Sequence, residues 1–279
     1  MDRKRLTITL NKTLLKKVDD VIDGTKIRNK SHAIEYLITQ SISPQVTQAV
    51  VLAGGKGLNM RPYTFEMPKA LFPVGGKPIL EYIVEMLRRY EIRNIIFSIG
   101  HSGDKIRDHF GDGEKFGVDI TYVSEEKEAG TGGALVLAKK HIKNETFLVI
   151  HGDILINLNI SDFITFHKEQ GLPATIALTS VVDPSSFGEV ALHGTRITRF
   201  IEKPKKGKQL SQLINCGLYA LEKNILSFLP ADGYSLLEDI FPKLASMKQL
   251  AGFNFEGQWI DIGTPASYEK AIKEWKVKK

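Results

Sequence analysis

The glycines of Leu52-Ala53-Gly54-Gly55-Lys56-Gly57 would let a backbone approach phosphates closely, and Lys56 adds a positive charge beside them. This run is not the spaced-glycine pattern of dinucleotide-binding folds. The later Gly76-Lys77 does not complete a P-loop either, because Leu71 stands where the first glycine belongs and Pro78 follows the lysine. A phosphate loop of another class is expected. Two aspartates bring a second chemistry. Asp153 ends the apolar run FLVIHGD, so its carboxylate should emerge at the C-terminal end of a parallel strand, where open α/β sheets bind ligands. Asp261 lies in a second short segment beside Trp259. Two carboxylates from distant chain positions can hold Mg²⁺ between phosphate oxygens.

The elements that must carry these groups show in the apolar patterning. AVVLAGG, IRNIIFSIG, FLVIHGD, ATIALTSVV and INCGLYAL read as buried strands separated by helical patterns. Continuous apolar strands of this kind predict an α/β domain with a mostly parallel, Rossmann-like sheet and helices on both faces. The C-terminal region shows no fixed-period repeat.

After the glycine loop come Arg61-Pro62-Tyr63-Thr64 and Pro68-Lys69-Ala70-Leu71-Phe72-Pro73-Val74-Gly75-Gly76-Lys77-Pro78. Further on stand Gly130-Thr131-Gly132-Gly133-Ala134, Gly152-Asp153, Phe187-Gly188, Glu202-Lys203-Pro204, Asn215-Cys216-Gly217 and Trp259-Ile260-Asp261-Ile262-Gly263-Thr264-Pro265. In this order the motifs resemble the nucleotide-sugar pyrophosphorylases, the sugar-1-phosphate nucleotidyltransferases, over residues 48–279. The resemblance implies the nucleotide-diphospho-sugar transferase fold and a reaction of a nucleoside triphosphate with a sugar 1-phosphate. By the same resemblance Leu52, Ala53, Gly54, Gly55, His101, Gly130 and Thr131 line the nucleotide. Gly188, Glu202, Lys203 and Asn215 line the sugar phosphate. Lys69 faces the triphosphate, Lys203 the phosphate of the sugar phosphate, and Asp153 and Asp261 hold Mg²⁺.

One departure bears on activity. The family's loop reads Gly-x-Gly-Thr-Arg-Leu, whereas this chain has Gly55-Lys56-Gly57-Leu58-Asn59-Met60, so Asn59 replaces the signature arginine. Lys56 or Arg61 would have to meet the leaving phosphates instead. Two expectations follow: a working transferase, or a catalytically weak nucleotide or nucleotide-sugar sensor. The glycine-rich 130–134 segment and the run 235–242 look most like guanylyltransferases acting on mannose or heptose 1-phosphate, with GTP as donor; thymidylyl and uridylyl transfer stay open.

The first 45 residues are different in kind. They hold nine basic side chains against five acidic ones, most of the chain's formal charge of +6, the footprint of a nucleic-acid contact. Leu6, Ile8 and Leu10 alternate with polar residues as in a half-buried strand. Leu14, Leu15, Val18, Val21 and Ile22 then follow helical spacing up to Gly24, and a second helix through Ala33, Ile34, Leu37 and Ile38 starts from Asn29 or Ser31. So few apolar residues make a thin core, which predicts a homodimer or higher oligomer. The strand-helix-helix order resembles the ribbon-helix-helix family. That resemblance implies that Arg5, Thr7 and Thr9 face the bases of duplex DNA and that Lys30 and Ser31 hold a phosphate; a plain dimerisation arm is the alternative. Residues 43–48 read as a linker between a module at 1–45 and a domain at 48–279. With a single cysteine, Cys216, internal disulfides and structural zinc drop out. No apolar run approaches the roughly 18 residues of a membrane span and no signal peptide opens the chain, so a cytoplasmic protein with no membrane partner is expected.

Overall fold

Residues 7–25, 27–42 and 46–276 are described by the computed structural model, and the chain divides into two units between residues 45 and 46. In the first unit the Asn11 side chain caps α1 (Lys12–Asp20), accepting from the Leu14 amide at 2.8 Å. One amide that a helix start leaves unpaired is thereby satisfied. Asn29 does the same for α2 (Lys30–Ile42) through the His32 amide at 2.9 Å. Between the helices the Asp23 carboxylate accepts from the Thr25 and Ile27 amides, and Gly24 turns the chain at φ +73°.

Both helices stand where their spacing places them, but the described residues of the strand expected ahead of them form none. Thr7, Ile8, Thr9 and Leu10 carry no strand, and Arg5 lies outside the described residues. A strand needs a neighbour for its N–H and C=O groups, and two helices of one chain offer none. The unit's own core is small. Val18 and Ala33 are buried, while Ile8, Leu14, Leu37 and Ile38 stay exposed.

The second unit begins inside the stretch read as linker. Val46 and Gln48 are buried, and the Gln48 side chain donates to the His141 carbonyl at 2.8 Å and accepts from the Lys143 amide at 2.8 Å. A polar glutamine at the head of an apolar strand looks like loop in sequence, yet here it is a buried, bonded anchor. The elements up to the first aspartate are β1 (Gln48–Ala53), α3 (Tyr63–Glu66), β2 (Pro73–Val74), β3 (Lys77–Pro78), α4 (Ile79–Arg89), β4 (Asn94–Ile99), α5 (Gly103–Phe110), β5 (Asp119–Ser124), α6 (Gly130–Ala138) and β6 (Thr146–His151). After it come β7 (Ile154–Ile156), α7 (Ile160–Gln170), β8 (Ala174–Ser180), β9 (Gly188–His193), β10 (Arg196–Glu202), β11 (Leu213–Glu222), α8 (Phe241–Ser246), β12 (Leu250–Asn254), β13 (Trp259–Asp261) and α9 (Pro265–Glu274).

Among the described residues the main sheet has the order β5-β4-β1-β6-β11-β8-β12-β10-β9. Strands β5, β4, β1 and β6 are parallel. Strand β11, the run INCGLYAL, is antiparallel to both β6 and β8, and β10 is antiparallel to β12 and β9. The continuous apolar runs follow from burial on two sides. Ala49, Val51, Leu148 and Ile150 join the core under α4, α5 and α7, while Val50, Phe147 and Val149 join the one under α6 and α8. Alternate residues of one strand thus feed opposite faces, each fully buried Val, Leu, Ile or Phe contributing about 1.5–3 kcal/mol. No helix among the described residues is long and apolar enough to cross a membrane.

Candidate active site

The chain leaves β1 for β4 on one side and returns to β6 on the other, so β1 and β6 flank the point where strand order reverses. Ligands of open α/β sheets bind outside the C-terminal ends of such strands. Both loops there are glycines for steric reasons. A Cβ at Gly152 would lie 2.9 Å from the Leu52 carbonyl oxygen, whose partner is the Gly152 amide at 2.8 Å, and a Cβ at Gly54 would collide with the Glu125 carboxylate. At Gly55 an added Cβ meets nothing within 4 Å, so this backbone faces open space. Leu52 and Ala53 support the turn from within β1.

The short ladder β7–β13 gathers the acidic groups. Asp261 pairs in register with Ile154, and the Ile262 amide donates to the Asp153 carbonyl at 2.9 Å. Asp153 and Asp261 thereby meet beside Lys69, whose ammonium ion-pairs with Asp153. Burial raises the proton affinity of Asp153, but Lys69 and then His151 outweigh it and hold the carboxyl below its ordinary range. Burial and the like charge of Asp153 instead push Asp261 up to about 6. One lysine cannot neutralise two carboxylates, so the pair retains a demand for positive charge. Hard oxygen donors suit Mg²⁺, and no group of three or more potential ligating side chains exists among the described residues. The remaining ligands would be phosphate oxygens and water, as is usual for this ion.

Next to the aspartates opens a cavity of about 690 Å³ lined by Gly188, Glu202, Lys203, Asn215, Glu238 and Trp259, among others. Gly188 admits no side chain, since a Cβ would strike the Phe200 ring and lie 2.9 Å from Glu202 Oε2. Lys203 adopts φ +46°, a left-handed conformation that costs a non-glycine residue about 1–2 kcal/mol. Its amide is fixed by the Phe187 carbonyl at 3.0 Å. Burial, and then Glu238, raise the proton affinity of Glu202. Trp259 is locked by its indole N–H to the Cys216 carbonyl at 2.9 Å and by the edge of Phe187 at 5.4 Å.

Beneath the cavity lies a buried network that the sequence motifs do not reveal. Glu238 Oε1 stands 3.5 Å from His151 Nε2 and accepts from the Tyr219 hydroxyl at 3.1 Å; Oε2 accepts from the Thr131 hydroxyl at 2.6 Å. Asn215 donates to the Tyr219 oxygen at 2.8 Å. Burial opposes ionisation of Glu238, yet the His151 hydrogen bond and charge, with Thr131, bring it down to about 2. His151 is raised in return by Glu238, against its own burial. Glu238 lies in the 235–242 run and His151 two residues before Asp153, so their positions were in view; only the fold brings them together. Glu125 was missed as well. It follows β5, and its carboxylate accepts from the Ser98 hydroxyl and the Ala129 amide, each at 3.0 Å, beside Gly54.

Other predicted residues stand elsewhere or are already engaged. The Lys56 ammonium pairs with Glu128 at 3.2 Å, both about half exposed. The Arg61 guanidinium lies over the Phe65 ring at 4.9 Å. His101 is exposed in the turn before α5, and Asn59 lines the cavity mouth. The Thr131 hydroxyl is taken by Glu238 and by the Leu237 amide at 2.8 Å. Gly130, at φ +74°, sits against the Ser235 carbonyl, which accepts from the Gly132 and Gly133 amides at 2.9 and 3.2 Å. In the first unit Thr7, Thr9 and Ser31 are exposed, and Lys30 pairs with Asp19 at 3.1 Å.

The chain is similar to known proteins over most of its length. The family described as nucleotidyl transferase matches residues 48–277. The UTP–glucose-1-phosphate uridylyltransferase of Synechocystis is 34% identical over 81% of the chain, and the mannose-1-phosphate guanyltransferase beta-B of Xenopus laevis 33% identical over 79%. The chain spans 62% of the length of each. The solved structure of HddC from Yersinia pseudotuberculosis complexed with GMP-PN superposes with a TM-score of 0.70 at 29% identity, covering 82% of this chain and 100% of that one.

Proposed function

The chain belongs to the nucleotidyl transferase family, and from that premise we propose that it makes a nucleoside-diphosphate sugar and pyrophosphate from a nucleoside triphosphate and a sugar 1-phosphate. The observation that carries this reading is the meeting of Asp153, Asp261 and Lys69 beside the cavity that Glu202, Lys203 and Asn215 line. A phosphate oxygen of the sugar phosphate attacks the α-phosphorus of the triphosphate. One P–O bond forms, the bond to the β-phosphate oxygen breaks, and pyrophosphate leaves. The nucleophile is already an anion, so no general base is needed, and catalysis is orientation and charge neutralisation. Mg²⁺ held by Asp153 and Asp261 would supply Lewis-acid charge to the phosphate oxygens. Lys69 binds the triphosphate, and Lys203, turned by its left-handed backbone, binds the sugar's phosphate. Glu202 and Asn215 accept from and donate to sugar hydroxyls.

Guanine is the base this site favours. The Glu125 carboxylate stands beside the glycine loop, and besides Ser98 and Ala129 it can accept from the ring N–H and amino group of guanine, where a uracil or thymine offers one N–H between two carbonyls. The guanyltransferase relative and the GMP-PN complex fit guanine, whereas the Synechocystis relative is a uridylyltransferase. The test is pyrophosphate release by the purified protein across the four triphosphates and a panel of sugar 1-phosphates with Mg²⁺. Turnover with GTP and a mannose-like or heptose-like phosphate supports the reading, and no release with any pair overturns it.

A second reading rests on Asn59 and on the basic first unit. With no arginine at position 59, with Lys56 and Arg61 otherwise engaged, and with a basic helical module ahead of the site, the protein can act as a sensor. It would bind nucleotide or nucleotide sugar with little turnover and report it through a dimeric, DNA-binding arm. Nucleotide-sugar binding without pyrophosphate release distinguishes this reading from the first.

A further inference from the structure

Three charges meet at the aspartate pair, two negative and one positive, and the positive one is a side chain that also belongs on the substrate. Lys69 starts a short 3-10 turn whose next residues, Ala70 and Leu71, are buried, and Pro68 precedes it. Its backbone is therefore fixed by the turn, and the foot of its side chain lies beside Gly57. Its ammonium is committed to Asp153, with the lysine side chain 17% and the aspartate side chain 25% exposed. A divalent cation arriving at Asp153 and Asp261 meets this ammonium at close range, and in a half-desolvated pocket such repulsion is severe. A triphosphate changes the balance, because its charge can take both the cation and the lysine.

We propose that Lys69 holds the metal's place on Asp153 in the free protein and passes to the triphosphate when nucleotide binds, so that metal alone binds weakly and metal with nucleotide binds cooperatively. This rests on the metal assignment made above. Only one strong ion pair has to be exchanged, and the swing of a flexible side chain from a fixed turn suffices. By linkage, the factor by which nucleotide tightens metal binding equals the factor by which metal tightens nucleotide binding. Lys69 is then both a ligand of the substrate and the source of the coupling.

The test is a titration of the intact protein with Mn²⁺ alone, read as the loss of the free-ion electron paramagnetic resonance signal. Wild type is expected to bind weakly. Lys69→Met and Lys69→Gln, two separate removals of the charge, should each bind Mn²⁺ about tenfold or more tightly, within the usual range of coupling between two sites. Lys69→Arg should remain weak, since it keeps the charge. Asp153→Asn reports separately on the metal assignment. If it loses Mn²⁺ binding while folded Lys69→Met and Lys69→Gln match wild type, the exchange is wrong and the metal site stands. If Asp153→Asn binds Mn²⁺ as Lys69→Met does, the metal assignment fails and the exchange fails with it.

Discussion

Asp153 and Asp261 share one lysine with opposite results: the first is held ionised, and the second takes up a proton near pH 6. A proton on Asp261 competes with a cation. The Mg²⁺-dependent rate is therefore expected to rise with pH through about 6, with that limb moving to lower pH as Mg²⁺ is raised. Rate profiles at two Mg²⁺ concentrations check this, and a limb that ignores Mg²⁺ assigns it to another group. The sign for stability is the reverse. With a folded-state pKa above its unfolded value, Asp261 weakens the metal-free fold at neutral pH, and this penalty is relieved as pH falls through about 6. At the cavity mouth, Asn59→Arg should raise turnover on the order of 10²-fold, the worth of one preorganised cation on developing charge. Neither Lys56, paired with Glu128, nor Arg61, over Phe65, occupies that place. Single-turnover rates with saturating substrates measure the gain, and an unchanged rate would mean that the loop handles charge in another way.

Elements meet at Glu238 more than at any motif. Its carboxylate ties the end of β6 through His151, the start of α6 through Thr131 and the middle of β11 through Tyr219. Its fall from 4.5 to about 2 corresponds to stabilisation on the order of 3 kcal/mol. Because the folded pKa is depressed, that contribution is complete above about 4.5 and disappears as pH falls through about 2. Urea unfolding of Glu238→Gln should show a deficit of this order at pH 7 that closes in acid; a deficit independent of pH would point to packing instead. Strands β1, β4, β6, β8 and β11 were legible because burial on both sides leaves continuous apolar runs. Strands β9 and β10, partly exposed at one end of the sheet, carry no such run. The aspartates and Lys69 were legible from their flanking glycines and prolines, whereas His151, Tyr219, Glu238 and Glu125 come from four separate elements with no local pattern to join them. The segment RLTITL has the right period for a strand, but its described residues, 7–10, form none, since the two helices of one chain offer them no partner.

At the scale of the whole chain, the first unit leaves Ile8, Leu14, Leu37 and Ile38 exposed around a core too small to stand alone. The intact protein is expected to be a dimer that binds duplex DNA with an affinity falling steeply with salt, and a chain starting at Val46 should lose DNA binding and keep nucleotide. Fluorescence anisotropy at low and high salt measures both; no affinity at low salt, with or without nucleotide sugar, leaves a dimerisation arm only. The β7–β13 ladder has a mechanical consequence of its own. The segment from Asn157 to Gln258 supplies β8 to β12 of the main sheet and is also closed at its base by three residue pairs and by the Asn157 amide on the Gln258 carbonyl at 2.9 Å. A break at the exposed turn around Gly207 lies outside those pairs. Two co-expressed pieces, ending and starting there, should therefore copurify and restore a joint metal site, while neither piece alone carries both aspartates.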